Sequence, residues 1–166
     1  MPINFKDRGG AWQPIDNHVV RDRAGRFSNV ANEWGVVFDT MGPGRGVSFT
    51  APEGTARFWA EGAAAVDPVV EPDGASVRYP EVFPATDLVY TVTGAGVEEL
   101  LVLKSAAATS VVSFLMDGVE FDKRPEGLRG QARGIGRRLT LSQPVSFDAA
   151  GQVFDDARTV FDAANG

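Results

Sequence analysis

The chain has no cysteine and a single histidine, His18, among its 166 residues. The first absence removes disulfides, thiolate zinc sites and cysteine nucleophiles. It does not weaken the expectation of a stable fold, because a chain of this length buries roughly 70% of the surface its unfolded form exposes. Nor does it assign a compartment, since such a core folds in reducing or oxidising surroundings alike. Long apolar runs are missing too: none approaches the ~20 residues of a membrane span. The opening segment carries Lys6, Asp7 and Arg8 where a signal peptide needs an apolar core. A soluble chain without membrane insertion is expected. Positive charge is scarce, with 16 Lys and Arg against 22 Asp and Glu and a net charge of −6. That balance argues against nucleic acid as a partner, because such affinity rests on neutralising phosphates. One local exception is the basic run Lys123, Arg124, Arg129, Arg133, Arg137 and Arg138, partly offset by Asp122 and Glu126. It reads as an anion or partner patch, or as a solvated loop or hairpin; Gly127, Gly130, Gly134 and Gly136 favour the second.

What is abundant is punctuation, with 19 Gly and 10 Pro. Turn signals recur at Arg23-Ala24-Gly25, Gly42-Pro43-Gly44, Pro52-Glu53-Gly54, Pro72-Asp73-Gly74, Gly94-Ala95-Gly96, Asp117-Gly118, Pro125-Glu126-Gly127 and Ala150-Gly151. Between them lie short β-type segments at 34–38, 55–60, 87–93, 97–104 and 109–116. Leu88, Tyr90 and Val92 alternate with mostly polar neighbours, the mark of a strand with one apolar face. The run Leu100 to Leu103 suits a strand buried on both faces or a buried helix; its shortness and the preceding glycine turn favour the strand. Phe58 and Trp59 are expected mid-sheet on opposite faces. The fold class is therefore all-β: an antiparallel β-sandwich or a barrel-like meander of short strands. One short C-terminal helix fits Ala157, Val160, Phe161 and Ala164, but the echo of 147–151 in 161–166 fits two strand-and-turn units equally well. Residues 1–9 are expected as a flexible end and 10–166 as a single β-rich domain.

The search for chemistry yields little. His18 has no partner histidine, and two-residue spacing from Asp16 does not by itself make a hydrogen-bonded orienter; no Gly-x-Ser-x-Gly elbow is present. No metal motif appears, and no cofactor is expected. Glu120 and Asp122 would share one face of a strand about 6.7 Å apart, a spacing compatible with glycoside hydrolysis. Lys123 and Arg124 beside them suggest a charged hairpin instead, and Glu98 and Glu99 would point to opposite faces. Gly42 to Gly46 lacks the Gly-Lys-Ser/Thr ending of a phosphate loop and leads into a strand. Trp12, Trp34, Trp59, Tyr79 and Tyr90 could form a stacking platform for a carbohydrate or cell-wall glycan, although large aromatics more commonly build cores.

Several blocks occur in a telling order. Gly10-Ala11-Trp12-Gln13-Pro14-Ile15-Asp16-Asn17 is followed by Asp22-Arg23-Ala24-Gly25 and Ala31-Asn32. Then come Val77-Arg78-Tyr79-Pro80-Glu81-Val82-Phe83-Pro84-Ala85-Thr86-Asp87-Leu88-Val89-Tyr90-Thr91-Val92, Gly96-Val97-Glu98-Glu99-Leu100-Leu101-Val102-Leu103-Lys104-Ser105 and, later, Pro144-Val145-Ser146-Phe147-Asp148-Ala149-Ala150-Gly151. These resemble the "Y-x-x-V-x-P-x-x-D-L-x-Y-x-V" and "G-V-K-E-x-x-V-L-K-S" blocks of a β-rich region in large secreted proteins of actinobacteria and relatives. That region lies upstream of Rhs or tyrosine-aspartate repeats and polymorphic-toxin tips. Glu98 stands where the family more often has Lys. The resemblance, from about Gly10 to Gly151, implies a non-catalytic scaffold domain, extracellular or at the cell surface. It would be part of a longer protein whose other domains are its partners, and it implies no catalytic residues. The other readings are a carbohydrate- or cell-wall-binding module using the five aromatics, and a glycosidase at Glu120 and Asp122.

Overall fold

A computed structural model describes residues 3–51, 54–124, 127–132, 138–142 and 144–160, with side chains except at 51, 120–132 and 138–140. Two antiparallel sheets hold the core. The larger is built from β3 (Asp16–Arg21), β4 (Phe27–Ala31), β5 (Gly35–Gly42), β6 (Arg45–Ala51), β7 (Gly54–Ala60) and β12 (Phe114–Asp117), in the order β12-β7-β6-β5-β4-β3. The smaller runs β11-β10-β9-β8, from β8 (Val69–Val70), β9 (Ser76–Phe83), β10 (Thr86–Val92) and β11 (Val97–Leu103). Three peripheral units are a hairpin of β1 (Asn4–Lys6) and β2 (Trp12–Pro14), a three-stranded sheet of β13 (Val119–Arg124), β14 (Gly127–Ala132) and β15 (Arg138–Leu141), and a hairpin of β16 (Ser146–Phe147) and β17 (Val153–Phe154). The all-β expectation holds, and among the described residues no sheet closes into a barrel.

The two main sheets face each other, because the inward residues of each strand are the apolar ones. Val36, Phe38 and Met41 of β5, Val47 of β6 and Phe58 of β7 meet Val77, Tyr79 and Val82 of β9 and Leu88, Tyr90 and Val92 of β10 in one buried cluster. Tyr90 reaches across to Phe38 and Phe58, with ring centroids 5.9 and 5.8 Å apart, inside the range where aromatic pairs attract. Tyr79 joins the sheets through a polar bond, its hydroxyl donating to the Asp39 carbonyl at 2.8 Å.

One turn chemistry recurs in three hairpins. Asp7, Asp22 and Asp148 each accept, through Oδ1, the N–H groups two and four residues on, at 2.8–2.9 Å. Gly10, Gly25 and Gly151 follow at φ of 84°, 83° and 80°, a region costly for any side chain. This local bonding is why Asp-x-x-Gly reverses the chain between β1 and β2, β3 and β4, and β16 and β17.

Four expectations change. Part of the supposedly loose end, Asn4–Lys6, is strand β1, paired with β2. The segment expected as strand over 109–116 is extended only from Phe114, because the Thr109 hydroxyl bonds both the carbonyl and the N–H of Val111 and fixes a local turn. The Leu100 to Leu103 run is a strand but an edge strand, with Leu100 41% and Leu103 55% exposed, not one buried on both faces. Residues 156–160 carry no helix, and the remainder of the expected helix lies outside the described residues. Among the described residues, no helix is long and apolar enough to cross a membrane.

Candidate functional site

The densest polar constellation lies on the outward face of the smaller sheet, where β9 bulges against β10. Thr86 stands opposite Phe83 and Leu88 opposite Tyr79, so the single residue Asp87 confronts Pro80, Glu81 and Val82. The sequence dictates the bulge. Pro80 has no N–H to give a ladder, which suits an irregular position. Glu81 takes φ of 51°, turning its N–H towards Asp87, while Val82 is driven into the core with no exposed surface. Pro84 and Ala85, the latter at φ of 54°, then reverse the chain into β10.

Asp87 is 7% exposed and satisfied from three directions. Its Oδ1 accepts the Glu81 N–H at 2.8 Å and the Lys104 ammonium at 2.7 Å, and its Oδ2 accepts Arg78 Nη1 at 3.0 Å. Arg78 also donates through Nε to Glu71 at 2.6 Å, and Lys104 pairs with Glu81. Glu71 follows β8, Arg78 lies on β9, Asp87 on β10, and Lys104 follows β11, so the network spans every strand of the sheet. Burial pushes the Asp87 carboxyl up, but the Glu81 N–H, Lys104 and Arg78 outweigh it and hold the group below the usual carboxylate range. Asp87, and after it Glu81, keep the Lys104 ammonium above its ordinary value.

Each partner is thus stabilised in its charged form, and the pair acts as an electrostatic clamp between β10 and the residue that follows β11. Among the described residues no group of three or more His, Asp or Glu could hold a metal ion.

The expectation that Asp87 bonds the turn backbone is met by the Glu81 N–H. Glu71, Arg78, Glu81 and Lys104 were not singled out from sequence. The available signal was charge inside strand-like blocks, Arg78 between Val77 and Tyr79 and Lys104 at the end of a leucine-rich run.

A second constellation departs from expectation. His18 Nδ1 and Asp16 Oδ1 lie 2.6 Å apart, an orienting bond that sequence spacing alone did not predict. The ladder is irregular between Asp16 and Val19, and that irregularity accompanies the bond. Across from it, the Val19 N–H donates to the Gly74 carbonyl at 2.7 Å, joining the two main sheets. Among the described residues no side-chain hydroxyl hydrogen-bonds the other ring nitrogen.

The five aromatics do not gather. Tyr79 and Tyr90 are core residues at 0% and 1% exposure, which removes them from any ligand surface; each lies on the inward face of its strand. Trp34 is half-buried against Phe49, and Trp59 is half-buried on the face of β7 opposite Phe58. Trp12 alone is widely exposed, at 68%, with the Lys6 ammonium 5.2 Å from its ring centre. Glu120 and Asp122 fall within β13, and their side chains lie outside the described residues. Of the basic run, Lys123, Arg124, Arg129 and Arg138 fall on the paired strands β13, β14 and β15, which favours the hairpin reading. Comparison of the chain with protein-family models, curated proteins and solved structures finds no match.

Proposed function

We propose that this chain is a non-catalytic structural domain of a secreted or cell-surface protein of the Rhs, tyrosine-aspartate-repeat or polymorphic-toxin kind. The observation that carries the reading is the Asp87 clamp. The block on which the resemblance rests supplies Arg78, Glu81 and Asp87, the next block supplies Lys104, and all four are paired with one another inside one sheet. Charge used to join four strands supports a mechanical or spacing role for the domain within a longer polypeptide, whose other domains are its partners.

Two measurements test this. Turnover of glycoside, ester, peptide and phosphate substrates by the purified chain is expected to stay at the buffer background. Hydrolysis abolished by a single Asp or Glu substitution overturns the reading. In the encoding gene, the reading frame is expected to continue into repeats or a toxin tip, and a frame encoding these 166 residues alone removes the proposed context.

A further inference from the structure

We infer that β11 is a pairing edge through which two copies of this chain join their four-stranded sheets, independently of the functional reading above. β11 is the outermost strand of its sheet and is seven residues long. Among the described residues, the other outer strands of the two main sheets are less available: β8 has two residues, β12 has four, and the β3 edge is already tied across the sandwich by the Val19 N–H.

The ladder between β10 and β11 fixes which backbone groups face outwards. Thr93 N–H donates to the Gly96 carbonyl and Lys104 N–H to the Ala85 carbonyl, at 2.8 Å each. Antiparallel bonding alternates between these points, so Glu98, Leu100 and Val102 direct their N–H and C=O groups towards β10. Val97, Glu99, Leu101 and Leu103 direct theirs away from the sheet. Such a row is a template for another strand. Leu100 and Leu103 are exposed at 41% and 55%, and among the described residues no other strand lies beside them on the outer side of β11.

The side-chain pattern selects the occupant. Glu98 and Glu99 oppose a strand that would set a carboxylate against either of them, the usual way a charged edge discourages pairing. A second β11 running antiparallel and overlapping along its whole length avoids this. Leu100 then stands opposite its own copy, Glu99 opposite Leu101, Glu98 opposite Val102 and Val97 opposite Leu103. No carboxylate meets another, and about eight backbone hydrogen bonds form. Shifting one strand by two residues towards its start places Glu99 against Glu99. The sequence from Val97 to Leu103 is thus complementary to itself in one full-overlap register, and that register covers both exposed leucines.

The absence of cysteine allows a test specific to register. In the paired state the two Leu100 Cα atoms form a non-hydrogen-bonded pair roughly 4.5 Å apart, within disulfide range. The two Glu98 Cα atoms would stand four residues apart along the strands, roughly 13 Å, beyond that range. Leu100→Cys is expected to give a covalent dimer on mild oxidation, and Glu98→Cys is not. Sedimentation velocity over a dilution series is expected to show a reversible dimer for the unaltered chain and a monomer for Leu100→Lys. A chain monomeric at every concentration, a Leu100→Lys variant that still dimerises, or equal cross-linking by the two cysteine variants overturns the inference. Should Leu100→Lys fail to fold, the cysteine pair decides alone.

Discussion

Replacing Asp87 with Asn removes one negative charge while keeping an oxygen able to accept the Glu81 N–H. What is lost is the carboxylate facing Lys104 at 2.7 Å and Arg78 at 3.0 Å. Breaking a fully buried ion pair by removing one partner costs about 3–5 kcal/mol. The cations here are less trapped: the side chains of Arg78 and Lys104 are 33% and 36% exposed, and they retain Glu71 and Glu81. The expected loss is therefore smaller, about 2–3 kcal/mol, lowering the melting temperature by about 4–12 °C for a domain of this size. Chemical denaturation followed by tryptophan fluorescence measures it.

The pH dependence sharpens the same prediction. A carboxyl held lower in the folded than in the unfolded chain stabilises the fold above its unfolded value, near 3.8, and that contribution is lost as pH falls through the lower folded value. Asp87→Asn is expected to flatten the acid limb of the stability curve as well as lower its plateau. Lys104→Met should cost less in the Asp87→Asn background than alone, since the two groups interact. A loss under about 0.5 kcal/mol, the range of ordinary surface substitutions, with additive double-mutant energies, refutes the clamp.

Gly118→Ala is expected to destabilise by about 3 kcal/mol or more, because a Cβ there would stand 2.5 Å from the Thr55 carbonyl oxygen at φ of 77°. Gly62→Ala, at φ of 70° with open space around it, should cost only the backbone strain of about 1 kcal/mol; equal losses in urea titrations would show that crowding is not the cause. Tyr79→Phe removes the hydroxyl bonded to the Asp39 carbonyl and is expected to cost about 1 kcal/mol. Glu99 runs opposite to Asp87: the residue is exposed along the edge, but its carboxyl faces inwards beside Tyr90, where desolvation pushes it up to about 7. The folded chain then binds more protons than the unfolded one between about 4.5 and 7, so stability falls as pH rises through that window. Glu99→Gln should match the parent at acidic pH and exceed it above neutrality, by about 1 kcal/mol once screening at the edge is allowed for. Parallel stability curves for the two proteins would contradict that.

The sandwich was legible because its strands announce themselves by period. Leu88, Tyr90 and Val92, the apolar set of one alternation, are all at most 2% exposed. Phe58 and Trp59 fall on opposite faces of a strand flanked by β6 and β12, as the Arg57 to Ala60 segment suggested. What period could not reveal is which strands end a sheet. The Leu100 to Leu103 run looks the same whether covered on both faces or standing at an edge, because periodicity reports side chains and not neighbouring backbones. The Asp16 to His18 bond was hidden for a related reason: it accompanies a local irregularity in the ladder, and irregular backbone carries no periodic signature.

The candidate site was half legible, because its charges are carried by two blocks that only the folded chain brings together. The aspartate of the "D-L-x-Y" block is Asp87, and the lysine of the "V-L-K-S" block is Lys104. Seventeen residues separate them in sequence, and 2.7 Å separates their charged atoms. Read singly, each block is a strand with a charge at one end. Together they are two halves of one ion pair, completed by the Glu81 N–H at the bulge that Pro80 permits and by Arg78 from the neighbouring strand. A charge lost from either block leaves the other with a single counter-charge, Arg78 for Asp87 or Glu81 for Lys104. The spacing between Asp87 and Lys104 is in turn fixed by the hairpin that pairs β10 with β11. The two blocks thus join neighbouring strands through charges that the β10–β11 hairpin brings into contact.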